Sequence, residues 1–204
     1  MMHTSDMACS EGAMEVSYAK ADGPHASRVV LFILLHVPLA LALRWGQELA
    51  TVHALGVLMV GLFFIGDRKP QRVIYVTAYI TGAELLWRGT NASIFWEYGK
   101  YAVSLLLILA MLRQNRFSKS ADKTPLLYFV LLLPSVLILP AFDREAVAFN
   151  LAGPFALTMA TMFFSTVTLT RSQIDRVLVA VLAPIVSLGF LATFDILSAQ
   201  SIVF

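Results

Sequence analysis

The sequence predicts an all-α fold: a polytopic transmembrane helix bundle of about seven spans, with the N-terminus inside and the C-terminus outside. Composition is the first reason. Hydrophobic residues make up 58% of the 204 residues and charged residues 14%, where an ordinary soluble domain has about 25% charged. So few charges cannot cover a surface that faces water, and lipid must cover it instead. The second reason is the succession of apolar segments near spanning length, from residue 29 to the end. The third is the distribution of basic residues, which alternates from one connection to the next.

Residues 1–28 are polar and have no apolar core, so they do not form a signal peptide. They are expected to be a disordered cytoplasmic tail ahead of a helical domain over 29–204. No apolar stretch precedes Met7-Ala8-Cys9, as a lipoprotein signal would require, and Met1, Met2, Met7 and Met14 are all possible starts. A spanning helix needs about 20 apolar residues, with a range of about 17–25. The expected spans are 29–43, 49–66, 73–87, 98–112, 125–142, 146–169 and 177–194. The first is short, interrupted by His36 and Pro38, and must use Trp45 and its neighbours. Pro38, Pro134, Pro140, Pro154 and Pro184 are expected to kink helices, which bundles tolerate. Gly153-Pro154 is expected to act as a breaker. The longest connection, 113–124, is too small to be a domain.

With seven spans and the N-terminus inside, the inner segments hold Lys20, Arg28, Arg68, Lys69, Arg72, Arg113, Arg116, Lys119, Lys123, Arg171 and Arg176. The outer segments hold only Arg44, Arg88, Lys100 and Arg144. Eleven basic residues against four across short loops is a positive-inside signal, and removing one span would scramble it. Trp45, Trp87, Phe95, Trp96, Tyr98 and Tyr101 fall at the outer ends, where an aromatic belt is expected.

Several functions are excluded or unsupported. A net charge of +2 argues against nucleic-acid binding, and the lone Cys9 excludes a disulfide framework and a cysteine zinc site. No phosphate-cradling glycine loop, nucleophile elbow or zinc motif is present. His36 and His53 lie inside the first two spans and read first as buried, hydrogen-bonded histidines, with a proton relay as the alternative. Asp195 reads as interfacial, and Asp143-Arg144-Glu145 as a solvated turn. Asn91-Ala92-Ser93 matches the glycosylation pattern, which is common by chance.

Chemistry concentrates in residues 84–101. Glu84 and Arg88 are four apart on one helix and can pair; Glu97 and Lys100, three apart, can pair on the next. Two readings stand side by side. The pairs can fasten two helices together at the membrane boundary, where charge costs less than the roughly 2.5–3.5 kcal/mol of the bilayer centre. Alternatively they bind a ligand. Arg88 offers a planar fork for phosphate, Lys100 adds a second cation, and Trp87, Trp96 and Tyr98 offer faces for a sugar or isoprenoid chain. That chemistry suits an anionic, lipid-linked substrate.

The stretch Ala78-Tyr79-Ile80 through Ala83-Glu84-Leu85-Leu86-Trp87-Arg88, followed by Trp96-Glu97-Tyr98-Gly99-Lys100-Tyr101, resembles the N-terminal half of bacterial O-antigen ligase/polymerase-like membrane proteins. Leu132-Leu133-Pro134-Ser135, Phe149-Asn150-Leu151-Ala152-Gly153-Pro154 and Ala183-Pro184-Ile185-Val186-Ser187 continue the likeness in the same order, so that it covers roughly residues 70–204. The resemblance implies a multi-pass protein of the bacterial inner membrane. It implies glycan transfer from an undecaprenyl pyrophosphate carrier, without metal or other cofactor. Glu84, Arg88, Glu97 and Lys100 would then be carrier-binding residues. The family has a long outer loop with a histidine implicated in catalysis; this chain has no such loop and no histidine after His53. No catalytic residue can therefore be carried over. The expectation is an N-terminal part of such a protein, the first half of a larger fold, inactive alone. A small membrane transporter and a non-catalytic subunit with a membrane partner are the competing expectations.

Overall fold

The structure is a computed structural model that describes residues 26–67, 69–114, 122–134 and 144–193. Among the described residues there are seven helices and no strand: α1 Ala26–Trp45, α2 Gln47–Ile65, α3 Pro70–Gly89, α4 Tyr98–Arg113, α5 Thr124–Leu132, α6 Arg144–Phe164 and α7 Arg171–Thr193. Three of them, α1, α2 and α7, are long and apolar enough to cross a membrane. At 20 residues, α3 is also long enough, but it carries Arg72, Glu84 and Arg88. Helix α4 has 16 residues.

Several expected boundaries shift. The first helix begins at Ala26, so the last residues of the expected tail are helical; Cys9 and the rest of the tail lie outside the described residues. So do Arg68, Arg116, Lys119, Pro140, Asp143, Asp195 and the second half of the fifth expected span. Arg144 and Glu145 open α6 instead of forming a turn, and α6 runs unbroken through Gly153-Pro154. It ends at Phe164, five residues before the expected 169. Hydroxyl chemistry explains that end. Ser165 Oγ donates to Met162 O at 2.7 Å and Thr166 Oγ1 to Phe163 O at 2.7 Å, so side chains compete with the helical ladder. Thr170 then opens α7. Its N–H donates to Gln173 Oε1 at 2.9 Å, half of a capping box.

Central in the bundle is α3, packed against α2, α4 and α7; α1 closes over α2 and α7, α6 lies on α4, and α5 on α6. On α2 and α7 the residues turned inward are mostly small, while α3 and α4 bury large ones such as Trp87, Ile74, Leu106 and Met111. Helix α2 buries Ala50, Ala54, Gly61 and, at its end, Ile65, and exposes Leu49, Val52, Leu55, Met59 and Phe63. Helix α7 buries Ala183, Pro184, Ser187 and Leu191 and exposes Ile174, Leu178, Leu182 and Val186, one per turn. A water-soluble helix would show the opposite arrangement. Large apolar residues outside and small ones at the contacts are what lipid solvent allows, since association there rests on close backbone approach. Gly82 is the tightest such contact. A Cβ there would overlap Val181 O of α7 and stand 2.9 Å from its carbonyl carbon. Most buried hydroxyls bond back to their own helix, as Ser187 does to Ala183 O at 2.9 Å and Ser104 to Lys100 O at 2.7 Å, and among the described residues no buried hydroxyl is left without a partner.

Contacts between helix ends fix the alternation. Gln47 and Thr51, at the start of α2, bond to Ser93 in the α3–α4 turn, and Lys100 at the start of α4 lies over Phe149 near the start of α6. At the opposite end, Arg28, Tyr75 and Arg176 surround one cleft, and the Asp122 N–H, just before α5, donates to Ser165 Oγ after α6. Successive helices therefore run in opposite directions. Asp122 Oδ1 accepts the Thr124 N–H at 2.9 Å, a bond that holds its carboxyl below the ordinary carboxylate range.

Candidate functional site

The α3–α4 turn is built by local rules. Asn91 has φ 57°, the left-handed conformation that ends many helices. Its N–H donates to Arg88 O at 3.1 Å and that of Ala92 to Trp87 O at 2.9 Å, the paired closure of a Schellman motif. The next residues dock on α2. Gln47 Nε2 donates to Ser93 Oγ at 2.7 Å and the Ser93 N–H to Thr51 Oγ1 at 2.8 Å. Residues 84–88 and 97–100 are thereby held side by side.

All four sequence-predicted site residues converge here. Arg88 pairs with Glu84, donates to Trp96 O at 2.7 Å, and stacks its guanidinium 4.2 Å from the Trp96 ring centroid, a cation–π contact. Its Nε is buried with no hydrogen-bond partner. Lys100 Nζ lies 2.5 Å from Glu97 Oε2 and 5.5 Å from the Phe149 ring centroid of α6. The Glu97 contact is an ion pair by distance, but its angles do not make a hydrogen bond, and neither Glu97 oxygen has an aligned donor. The cations are more open than the anions: side-chain exposure is 23% for Arg88 and 35% for Lys100, against 15% for Glu84 and 7% for Glu97. Each cation is thus the more exposed member of its pair, and Arg88 rests on the Trp96 ring.

Gly99 joins the two pairs. The Glu84 carboxylate from α3 lies directly against the Gly99 backbone, and a Cβ would overlap Glu84 Oε2 and stand 2.7 Å from its Cδ. Gly99→Ala should therefore displace Glu84 and loosen its pairing with Arg88. The opposing atoms are the end of a flexible side chain that can swing aside, so the cost is that of the weakened ion pair, about 1 kcal/mol. The check is thermal unfolding of the purified variant with and without Glu84→Ala, which removes the opposing atoms; the alanine should cost much less in the second background.

Two belt expectations are corrected. Trp45, Phe95, Trp96 and Tyr101 are exposed, but Trp87 is fully buried and Tyr98 nearly so. Their polar atoms find acceptors inside the protein. Tyr98 OH donates to Ala54 O at 2.9 Å, and Trp87 Nε1 donates to His53 Nδ1 at 2.8 Å. An indole N–H can only donate, so His53 Nδ1 carries the lone pair and the imidazole proton sits on Nε2, which faces Tyr79 OH at 3.3 Å. His36 is also buried; its Nδ1 bonds Phe32 O at 2.7 Å, and its ring lies 5.5 Å from that of Tyr79. Both histidines are thus hydrogen-bonded. This network joins residues 34 apart in sequence, and nothing local in the sequence signals it.

An apolar cleft of about 420 Å³ opens between α2, α4 and α6, lined by Leu58, Phe95, Tyr98, Tyr101, Leu105 and Phe155. It begins among the aromatic residues on either side of Lys100. Among the described residues, no group of three His, Cys, Asp or Glu is placed to hold a metal ion. The chain matches no protein-family profile, no curated protein and no solved structure.

Proposed function

We propose that this chain is a multi-pass protein of the bacterial inner membrane, with seven spans and its N-terminus in the cytoplasm. Its α3–α4 turn holds the pyrophosphate of a polyprenyl-linked glycan at the outer leaflet, as the likeness to the N-terminal half of O-antigen ligase/polymerase-like proteins implies. One observation carries the reading: Arg88 and Lys100 are each the more exposed member of their ion pair, by 23% to 15% and 35% to 7%. Arg88 presents a fork that suits phosphate oxygens, and Lys100 supplies a second positive charge. The neighbouring apolar cleft offers isoprenoid units a place beside α4.

Arg88→Ala should weaken binding of a polyprenyl pyrophosphate to the purified protein by roughly tenfold or more, the value of a charge-assisted contact. Arg113→Ala, at the far end of α4, should leave affinity unchanged. Equal affinities for wild type and Arg88→Ala would sink the reading. The fastening alternative also has its own observation, because each of the four charges already has an opposite partner. Under it, Arg88→Ala lowers the melting temperature and no polyprenyl pyrophosphate binding is detected in either protein.

A further inference from the structure

At the end of the bundle away from the charged turn, α1, α3 and α7 leave a cleft of about 260 Å³. Val29, Phe32, Val179 and Ala180 give it apolar walls, with Tyr75 contributed by α3. Arg28 of α1 and Arg176 of α7 line the same cleft, and both are exposed. Neither takes part in the ion pairs among the described residues, which are Asp67–Arg72, Glu84–Arg88 and Glu97–Lys100. Asp175 precedes Arg176 in sequence but is turned about 100° around the helix. The cleft therefore combines an apolar slot with two cations from different helices.

We propose that this cleft is a binding site for one anionic phospholipid, with the phosphate held by Arg28 and Arg176 and an acyl chain lying along Phe32 and Val179. Apolar walls disfavour a free, fully hydrated phosphate, which gains nothing from them. A zwitterionic lipid fills the slot equally well but brings no net charge to the arginines. Arginine suits the task because its stem packs on apolar surface while its fork reaches outward. A lipid seated there bridges α1 to α7 and so stabilises the pairing of the first and last described helices. The proposal uses none of Glu84, Arg88, Glu97 or Lys100, so it stands or falls independently of the carrier site.

The test is native mass spectrometry and thermal unfolding of the purified full chain with phosphatidylglycerol, phosphatidylcholine or glycerol 3-phosphate added. Each basic residue near an anionic headgroup is worth about a fivefold preference, so phosphatidylglycerol should be retained roughly tenfold or more over phosphatidylcholine. Glycerol 3-phosphate should be without effect. Arg28→Gln with Arg176→Gln should abolish the preference, whereas Arg28→Lys with Arg176→Lys should keep most of it. Ala180→Phe fills the slot with both arginines intact and should abolish retention; this variant decides the matter if the glutamine pair does not fold. Equal retention of the two lipids by wild type would overturn the proposal. So would a preference that survives the glutamine pair or Ala180→Phe, or stabilisation by glycerol 3-phosphate alone.

Discussion

Leucine at position 82 should prevent α3 from seating on α7 and lower the melting temperature more than any other single glycine substitution among the described residues. A Cβ at Gly82 would overlap Val181 O and lie 2.9 Å from the carbonyl carbon and 3.1 Å from Cα. These are backbone atoms of a helix and cannot rotate aside. Even alanine should cost about 1–3 kcal/mol by overpacking, and leucine more, because the helices must separate along the most extensive contact in the bundle. Gly56 and Gly153 provide the control. Among the described residues nothing lies within 4 Å of a Cβ at either position, so alanine there should be neutral or stabilise by about 0.5–1 kcal/mol through helix propensity. Thermal unfolding in detergent distinguishes the cases. A Gly82→Leu protein that melts with wild type would mean that α3 and α7 do not pack in this way.

Trp87→Ala should be the most damaging substitution near the charged turn. Truncating a fully buried tryptophan costs about 3–5 kcal/mol, and this one also supplies the donor to His53 Nδ1. Trp87→Phe separates the two contributions. It keeps most of the ring volume but leaves His53 Nδ1 without its N–H, at a cost of about 1–3 kcal/mol. His53→Phe should then cost little more in the Trp87→Phe background than the first change alone, since the bond is already gone. Additive losses would show that the two residues are not coupled. Tryptophan fluorescence gives an independent reading. Trp45 and Trp96 are exposed and Trp87 is not, so Trp87→Phe should remove the most blue-shifted component of the emission.

Most helix positions were legible because a lipid-facing helix announces itself by continuous apolarity, which needs no knowledge of neighbours. The ends were less so. Leu169 reads as the continuation of an apolar run, yet the hydroxyls of Ser165 and Thr166 bond back and close α6 first. Gly153-Pro154 reads as a break, but α6 carries it without interruption. Of the site, the pairs Glu84–Arg88 and Glu97–Lys100 were legible from their spacing: helical geometry brings the first together, and Glu97, at the N-cap of α4, reaches Lys100 one turn on. What spacing could not show was how one pair meets the other. That depends on Gly99, whose missing side chain admits the Glu84 carboxylate, and on the Asn91 turn that sets α4 beside α3. Position along the span also misled for Trp87 and Tyr98. Both stand where belt residues stand, but His53 and Ala54 on α2 offer them acceptors, so they turn inward. A contact between residues on separate helices leaves no trace in the local pattern of one sequence.

The exposure order of the cluster, with each cation more exposed than its glutamate, has its proposed use only if the turn faces away from the cytoplasm. Cysteine labelling tests this directly. In a Cys9→Ser background, which removes the chain's single native cysteine, Phe95→Cys marks the exposed turn and Arg113→Cys the far end of α4. The account predicts that a membrane-impermeant maleimide applied to spheroplasts labels position 95 and not position 113, and that position 113 reacts only after the membrane is opened. Labelling of position 113 but not 95 in intact spheroplasts would place the charged turn in the cytoplasm and contradict a carrier-linked glycan site at the outer leaflet.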